Sequence, residues 1–148
     1  AAPRRPPHNL SFEHANFVQE PPAAGMLKAS LGNLGECFDT ILCLSTSKWV
    51  HLNFGDAGLM LLFRRVHAAL RPGGHFLLEP QPWSSYRKKA SLTPAILRNY
   101  HAIQLRPAQF QACLLDQVGF ASCTPLDVGY SGGQSSGFKR RPLWLLTK

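Results

Sequence analysis

Residues 38–86 decide the fold, beginning with FDTILCLSTSKWVHLNFGD at 38–56 and ending, after the turn RPGG at 71–74, with HFLLEPQPWSSY at 75–86. Residues 38–44 form an almost continuous apolar run, which is typical of a strand in a parallel sheet that is covered on both faces. Residues 75–78 resume an apolar strand that ends at Glu79. Two such strands joined through a helix form a βαβ crossover, so we expect them to be parallel neighbours.

The segment between these strands has the pattern of a helix. Its apolar residues recur at spacings of three and four and so share one face: Leu59, Leu62, Phe63, Val66 and Leu70. Asn53 or Asp56 is placed to cap the start of this helix. The RPGG turn is expected to stop it, because proline cannot continue a helix and glycine accepts the backbone angles of a turn.

Two polar segments follow the two predicted strands. They are STSKWVH at 45–51 and EPQPWSSY at 79–86. In open α/β sheets, ligands bind beyond the carboxyl ends of the strands, and both segments combine aromatic rings with hydrogen-bonding groups. From the residues alone, Trp49 and Trp83 either contact such a ligand or pack their loops onto the sheet.

The rest of the chain completes an α/β plan. Thr93 followed by Pro94 predicts a helix start, and that helix runs through Tyr100. Arg106 and Pro107 open another helix, whose predicted buried face contains Phe110, Cys113, Leu114 and Val118. Residues 120–128 and 143–146 are predicted as two terminal strands, joined by the glycine- and serine-rich segment 130–137.

The charge of the chain favours a polyanionic partner. Sixteen Lys and Arg against eight Asp and Glu give a formal net charge of +8 and a pI near 9.8. Arg87, Lys88 and Lys89 directly follow the second edge segment, where they either clamp phosphates of a polyanionic partner or form a solvated charge run. The four cysteines lack metal-ligand spacing and no apolar run has the length of a membrane span, so neither a metal site nor a membrane is expected.

Several of these segments together resemble the Bin3-type RNA methyltransferase domain. They are CLSTSKWVHLNFGD at 43–56, RPGG, LLEPQPWSSY at 77–86, NYHAIQLRPAQF at 99–110 and VGF at 118–120. The resemblance covers about residues 9–148 and is weaker over 20–36. It implies an α/β, class I (Rossmann-like) methyltransferase fold. It also implies an S-adenosylmethionine-dependent enzyme that methylates the γ-phosphate at the 5′ end of a small nuclear RNA of the 7SK kind.

The same resemblance assigns candidate site residues. It places Asn16, Phe17 and Leu44 at the cofactor. The candidate catalytic residues are Lys48, His51, Glu79 and Tyr86. The candidate substrate-binding residues are Trp49, Gln81, Trp83, Arg87, Lys88 and Lys89. Because a terminal phosphate is already anionic at neutral pH, the chemistry does not require His51 or Glu79 to be an obligatory base.

Composition and the resemblance together predict the domain organisation. Residues 1–8 are expected to be a disordered basic, proline-rich arm, residues 9–148 a partial Bin3-type methyltransferase domain, and residues 20–36 an irregular insertion or linker. Members of the family carry a cofactor-binding strand and a glycine-rich turn before the region matched here. This chain has neither, so we expect the N-terminal cofactor-binding half to be missing and the pocket to be open on one side. A strand near residues 10–12 would then lack a neighbour, and the strand at 38–44 would have an unpaired edge.

Three functions fit the sequence. The first is a truncated form of an RNA 5′-γ-phosphate methyltransferase. Because the glycine-rich cofactor motif is absent, the sequence argues against activity of this chain alone. The second is a catalytically inactive RNA-binding or scaffold protein, and the third is a truncated product that folds poorly. The resemblance implies a nuclear location and a small nuclear RNA partner, with other proteins of that ribonucleoprotein as further partners.

Overall fold

The computed structural model describes residues 16–18, 38–126 and 142–148. Within these ranges the chain forms a four-stranded mixed sheet with the strand order β1-β2-β4-β3. The strands are β1 (Phe38–Cys43), β2 (Leu70–Leu78), β3 (Ser122–Leu126) and β4 (Leu143–Thr147). β1 and β2 pair in parallel, whereas β4 runs antiparallel to both β2 and β3. These pairings confirm the predicted crossover and the predicted terminal strands.

Helices connect and cover the strands of this sheet. They are α1 (Ser47–Ala69), α2 (Trp83–Arg87), α3 (Pro94–Ala102) and α4 (Phe110–Cys113). A 3₁₀ turn, Pro107–Gln109, precedes α4, and a π-helical turn, Leu114–Val118, follows it. The hydroxyl of Thr93 accepts a hydrogen bond from the backbone N–H of Ile96, which confirms the predicted cap of α3.

α1 begins earlier than the sequence pattern predicted. It starts at Ser47 and breaks at Gly55, where φ is 64° and ψ is −167°, before continuing to Ala69. Asn53 is therefore inside the helix, where its side chain donates to the carbonyl of Trp49. Gly55 permits the break because this backbone region is almost restricted to glycine.

The RPGG turn lies at the start of a strand and not between elements. α1 ends at Ala69 and β2 begins at Leu70, so these four residues belong to β2. The pairing with β1 shifts register there, from Phe38 opposite Leu70 to Thr40 opposite His75, which is the geometry of a bulge. Gly73, with φ 74°, provides the backbone conformation that this bulge requires.

The main core lies between the sheet, the second half of α1 and the α4 region. The buried side chains in it include Leu59, Phe63, Phe76, Phe110 and Leu146. A second apolar cluster of Leu52, Tyr86, Ile96 and Ile103 joins the first half of α1 to α2 and α3. The predicted apolar stripe is confirmed for its four members on α1, which are all buried: Leu59, Leu62, Phe63 and Val66. Its fifth member, Leu70, is also buried but begins β2. On the next helix Phe110, Cys113 and Leu114 are buried, and Val118 is half-buried.

The expectation that β1 is covered on both faces is wrong. Ile41 and Cys43 pack into the core, but on the other face Phe38 and Leu42 are 38% and 60% exposed. β1 is also at the edge of the described sheet, which agrees with the expected unpaired edge.

Some sequence predictions concern segments outside the described residues. These are the arm at 1–8, the strand near 10–12, the insertion at 20–36 and the loop at 130–137. In the part of the chain that the structure describes, no helix is both long and apolar enough to cross a membrane.

Candidate functional site

The two predicted edge segments lie next to each other at the carboxyl ends of β1 and β2. The backbone N–H of Glu79 donates to the carbonyl of Cys43 at 3.1 Å, which continues the pairing of the two strands. Beyond it, the hydroxyl of Ser45 donates to Oε2 of Glu79 at 2.8 Å, and Nζ of Lys48 donates to Oγ of Ser85 at 3.0 Å. These contacts confirm that the segments after the two strands form one surface.

Ser45 makes the sharp bend at the end of β1. Its φ of 56° is unusual for a residue other than glycine. Such a conformation costs on the order of 1–3 kcal/mol and persists only where the surrounding contacts hold it. The hydrogen bond to Glu79 is one such contact, so the sharp entry into α1 is fixed by the neighbouring strand.

Lys48 is a buried cation at the start of α1. The side chain is 9% exposed, and its ammonium group lies 4.8 Å from the centre of the Trp49 ring. Trp49 is 38% exposed and so presents part of its indole to solvent beside this charge. A buried ammonium group next to an exposed aromatic ring can hold an anion and a flat group together.

His51 and Tyr86 are fully buried beneath this surface. Nε2 of His51 lies 2.7 Å from Oδ1 of Asp56, and its Nδ1 lies 3.3 Å from the hydroxyl oxygen of Tyr86. Burial lowers the pKa of His51 despite the nearby carboxylate, and burial raises the pKa of Tyr86. His51 is therefore neutral and Tyr86 protonated at physiological pH.

Asp56 also binds the chain that follows α3. Its carboxylate accepts hydrogen bonds from the backbone N–H groups of Gln104 and Leu105, at 2.8 Å and 3.3 Å. Burial alone would raise the pKa of Asp56, but the hydrogen bonds from His51, Gln104 and Leu105 outweigh it and hold the pKa below its ordinary value. Asp56 is thus ionised and can only accept hydrogen bonds.

Asn99 closes the helix break from the opposite side. Its Nδ2 donates to the carbonyls of Leu52 and Asn53, at 3.0 Å and 2.9 Å. These carbonyls end the first half of α1, where no following helical turn can satisfy them. Asn99 and Asp56 together fix α3 and its exit against the break at Gly55.

Trp83 already has aromatic and cationic partners in the structure. The ring of Tyr100 stacks on it at 4.9 Å with an interplanar angle of 11°, and the ring of Tyr86 lies 5.0 Å away. The guanidinium carbon of Arg106 is 5.0 Å from the Trp83 ring centre. The Trp83 ring therefore packs α2 onto α3 and lies against an exposed arginine, while its contact with a ligand stays a prediction.

Two buried polar atoms of this surface have no hydrogen-bond partner among the described residues. They are Oγ of Ser47 and Oε1 of Gln81, whose residues are 0% and 4% exposed. Buried polar atoms usually have a partner. Both atoms therefore have hydrogen-bonding capacity that a buried water molecule could satisfy.

The predicted basic run is exposed at the C-terminal end of α2. Arg87, Lys88 and Lys89 all lie at the surface. Residues 80–115 contain these three cations together with Arg98 and Arg106 and no Asp or Glu. Residues 80–115 therefore carry only positive formal charges, which suits a polyanionic partner.

The three predicted cofactor residues lie in two places. Leu44 follows β1 and is 48% exposed. The side-chain oxygen of Asn16 accepts a hydrogen bond from the N–H of Val18, and the carbonyl of Phe17 accepts one from Arg65 of α1. Phe17 packs against the main core, which anchors this segment and leaves Asn16 exposed.

Several residues of this site were not predicted as site residues from the sequence. They are Ser45, Asp56, Ser85, Asn99, Tyr100 and Arg106. Asp56 could have been identified from the sequence, because it is the one acidic residue in 47–69 and it follows a glycine. The others depend on contacts between distant segments, which spacing along the chain does not reveal.

The described residues give little support for a metal site or a reactive cysteine. No group of three His, Cys, Asp or Glu side chains there could hold a metal ion. Burial raises the pKa of the Cys43 thiol to about 11, so this thiol is protonated and a poor nucleophile. Cys113 and Cys123 are also free thiols with raised pKa, again because of burial.

Comparisons with known proteins identify the family of this chain and several of its relatives. The profile of the Bicoid-interacting protein 3 (Bin3) family matches residues 38–148. The chain is 43% identical over 143 residues to the human 7SK snRNA methylphosphate capping enzyme, covering 96% of this chain and 19% of that protein. It is 41% identical over 143 residues to the U6 snRNA methylphosphate capping enzyme Amus of Drosophila melanogaster, covering 96% of this chain and 44% of that protein.

A plant relative extends the comparison. The chain is 44% identical over 135 residues to a probable RNA methyltransferase of Arabidopsis thaliana, covering 90% of this chain and 39% of that protein. The chain thus spans less than half the length of these three relatives. The matched residues include both edge segments, β1 to β4 and the helices between them, and on this evidence the chain belongs to the Bin3 family.

Proposed function

We propose that this chain is the RNA-facing part of an S-adenosylmethionine-dependent methyltransferase that methylates the γ-phosphate at the 5′ end of a small nuclear RNA. The observation that carries the proposal is the pair of hydrogen bonds, Ser45 to Glu79 and Lys48 to Ser85, that joins the two edge segments into one surface. Those segments lie within the region matched by the Bin3 family, whose curated relatives include enzymes named for snRNA capping.

The topology is compatible with a class I, Rossmann-like methyltransferase. A parallel pair, β1 and β2, continues into the antiparallel pair β4 and β3, with helices on the connections. We propose that a further cofactor-binding part completes the sheet at the open edge of β1. The exposed Phe38 and Leu42 on that strand fit a covered position in the complete fold.

Asn16, Phe17 and Leu44 are the proposed contacts to the cofactor's adenine. The exposed amide of Asn16 suits a hydrogen bond to the base edge, and the exposed apolar side chain of Leu44 suits contact with the ring. Phe17 holds the segment on the core. When bound, S-adenosylmethionine supplies an electrophilic methyl group.

Lys48 is the proposed phosphate-binding residue. Its buried ammonium group can offset the charge of the terminal phosphate while leaving an oxygen free to attack, and that oxygen needs no general base because it is already ionised. Glu79 would repel a phosphate in direct contact, so we assign it to holding Ser45 at the end of β1. Gln81 is a further proposed substrate-binding residue, because its Oε1 has no hydrogen-bond partner among the described residues.

Arg87, Lys88 and Lys89 are the proposed contacts to the RNA backbone. They are exposed, follow α2 directly, and lie in the acid-free region 80–115. Trp49 is half-exposed and can stack on a base, whereas Trp83 contributes by supporting the exposed Arg106. With such a substrate, we further propose a nuclear location and contact with other proteins of the same ribonucleoprotein.

Transfer of a labelled methyl group tests this function. The purified chain would be incubated with methyl-labelled S-adenosylmethionine and a short RNA that ends in a 5′-triphosphate, with the same RNA ending in a 5′-hydroxyl as the control. Label in the triphosphate RNA alone, together with micromolar binding of S-adenosylhomocysteine by calorimetry, would support the proposed activity and would mean that this chain binds the cofactor without the glycine-rich motif. Binding of RNA without cofactor binding or transfer would favour the inactive RNA-binding alternative for this chain.

A further inference from the structure

We propose that Asp56, His51 and Tyr86 form a one-directional hydrogen-bond relay that positions the RNA-facing helix α2 against the first half of α1. The three residues come from three places: the restart of α1 after Gly55, the first half of α1, and α2. The heavy-atom distances are 2.7 Å from Asp56 to His51 and 3.3 Å from His51 to Tyr86. The proposed function above gives these residues no contact with substrate.

The direction of the relay follows from what each group can donate. The ionised carboxylate of Asp56 only accepts, so Nε2 of His51 must carry the hydrogen. A neutral imidazole then has an acceptor at Nδ1, and the O–H of Tyr86 must donate to it. The Tyr86 hydroxyl therefore donates its hydrogen to His51 and does not donate it to a substrate.

Burial supports positioning and not catalysis for these side chains. His51 and Tyr86 are both 0% exposed, and the His51 ring also lies against Phe110 of the main core. A substrate therefore cannot reach His51 or Tyr86 in this arrangement. Both residues were catalytic candidates from the sequence. Their burial and hydrogen bonds indicate instead that they hold neighbouring groups of α1 and α2 in position.

The relay holds α2 and the first half of α1, which carry the side chains that contact RNA in the proposed function. His51 is three residues after Lys48 on the same half of α1, and Tyr86 stands between Ser85 and Arg87 on α2. A displaced Tyr86 would move Ser85 away from Lys48 and shift the start of the basic run. This consequence for RNA rests on the proposed function, whereas the direction of the relay does not.

Nuclear magnetic resonance tests the relay on the unchanged protein. In the ¹⁵N-labelled 148-residue chain near pH 7, long-range ¹H–¹⁵N spectra report which nitrogen of each histidine carries the hydrogen. We expect His51 to be neutral with its hydrogen on Nε2. A hydrogen on Nδ1, or a doubly protonated ring, would overturn the proposal without any substitution that risks the fold.

Three substitutions then test the positioning role. Tyr86→Phe removes one hydroxyl, Asp56→Asn removes the group that fixes the tautomer, and His67→Gln is a control on the second half of α1. We expect Tyr86→Phe and Asp56→Asn each to weaken binding of a 5′-triphosphate RNA about fivefold, and the control to change it less than about twofold. Cooperative thermal unfolding would establish that each variant is folded.

The double variant separates a relay from two independent structural effects. If one chain of hydrogen bonds transmits both changes, Tyr86→Phe combined with Asp56→Asn loses little more affinity than either change alone. Multiplied losses, or unchanged affinity in a folded Tyr86→Phe variant, would overturn the positioning role. If the unchanged chain binds no RNA, the proposed function fails together with the RNA consequence, while the tautomer of His51 still decides the relay.

Discussion

Nζ of Lys48 lies 3.0 Å from the hydroxyl oxygen of Ser85, a residue 37 positions later in the chain. The lysine begins α1 after the first strand, and the serine lies on α2 after the second. Because the two strands are parallel neighbours, their following segments meet at one edge of the sheet. A single side-chain contact thus fixes the buried cation of the candidate site with respect to the exposed basic run.

The basic run is expected to determine the salt dependence of RNA binding. Replacing Arg87, Lys88 and Lys89 together by alanine should reduce the slope of log affinity against log salt by about 2, since each phosphate contact to a single strand contributes about 0.7. Fluorescence anisotropy with a labelled single-stranded RNA at several salt concentrations measures this slope.

Arg64 provides the matched control for that experiment. It is exposed on α1, away from the basic run, so Arg64→Ala should leave the slope almost unchanged. Because the control loses one charge and the test variant loses three, a fall in Arg64→Ala about one third as large as in the triple variant would mean that net charge, and not this surface, controls binding.

Gly55 is expected to be intolerant of substitution. Its φ of 64° with ψ of −167° lies in a region that is almost restricted to glycine, although a Cβ there would meet no atom within 4 Å. Gly55→Ala should therefore lower the free energy of unfolding by about 1–3 kcal/mol through backbone strain alone. Urea unfolding measures the change, and a loss below about 0.5 kcal/mol would contradict the strained break.

Acidification is expected to destabilise the protein partly through His51. Its pKa in the folded chain lies below the ordinary value of 6.5 because burial disfavours the charged ring. The neutral ring therefore contributes its full stability above pH 6.5, and this contribution is lost as the pH falls through that value towards the folded-state pKa. Asp56, whose folded-state pKa is also lowered, adds a loss in the same direction at lower pH.

Thermal unfolding at pH 7.5 and pH 5.5 checks this dependence. The difference in Tm between the two conditions should be smaller in His51→Gln than in the unchanged chain. His67 also has a lowered pKa through burial and the nearby Lys148, so His67→Gln should remove a separate part of the difference. An unchanged pH dependence in a folded His51→Gln variant would contradict a buried neutral ring.

Two leucines on α1 test the division between core and surface. Leu59 is 0% exposed and Leu61 is 37% exposed. Leu59→Ala should cost about 2–5 kcal/mol of unfolding free energy, because it removes buried contacts and leaves a cavity. Leu61→Ala should cost less than about 1 kcal/mol. Denaturant unfolding of both variants tests the packing, and equal losses would contradict it.

Local pattern predicted much of this fold. The spacing of Leu59, Leu62 and Phe63 identified the core face of α1, and the apolar runs identified β1 and β2 with their parallel pairing. The break in α1 was missed because the residues on both sides of Gly55 and Asp56 are compatible with a helix. The apolar spacing that predicted the helix begins only after these two residues. The open face of β1 was also missed, since an apolar strand sequence does not report whether a neighbour covers it.

The candidate site was only partly predictable for the same reason. The apolar strand patterns located the two edge segments, because strand ends mark ligand edges in parallel sheets, and the family resemblance assigned Lys48, Glu79 and Trp83 within them. The partners Ser85 and Tyr100 are distant in sequence, and their roles follow from packing between helices. The burial of His51 likewise depends on α2 and the α4 region, which cover it from both sides.

The central claim is that the surface around Lys48 recognises the phosphates at an RNA 5′ end. The most direct test compares the affinities of the chain for one RNA sequence with a 5′-triphosphate and with a 5′-hydroxyl. We expect a preference of about tenfold for the triphosphate, because charge-assisted hydrogen bonds contribute about 1.5–3 kcal/mol. Lys48→Met should remove this preference, whereas the control Lys88→Met should weaken both RNAs equally. Equal affinity for the two RNAs in the unchanged chain would contradict the claim.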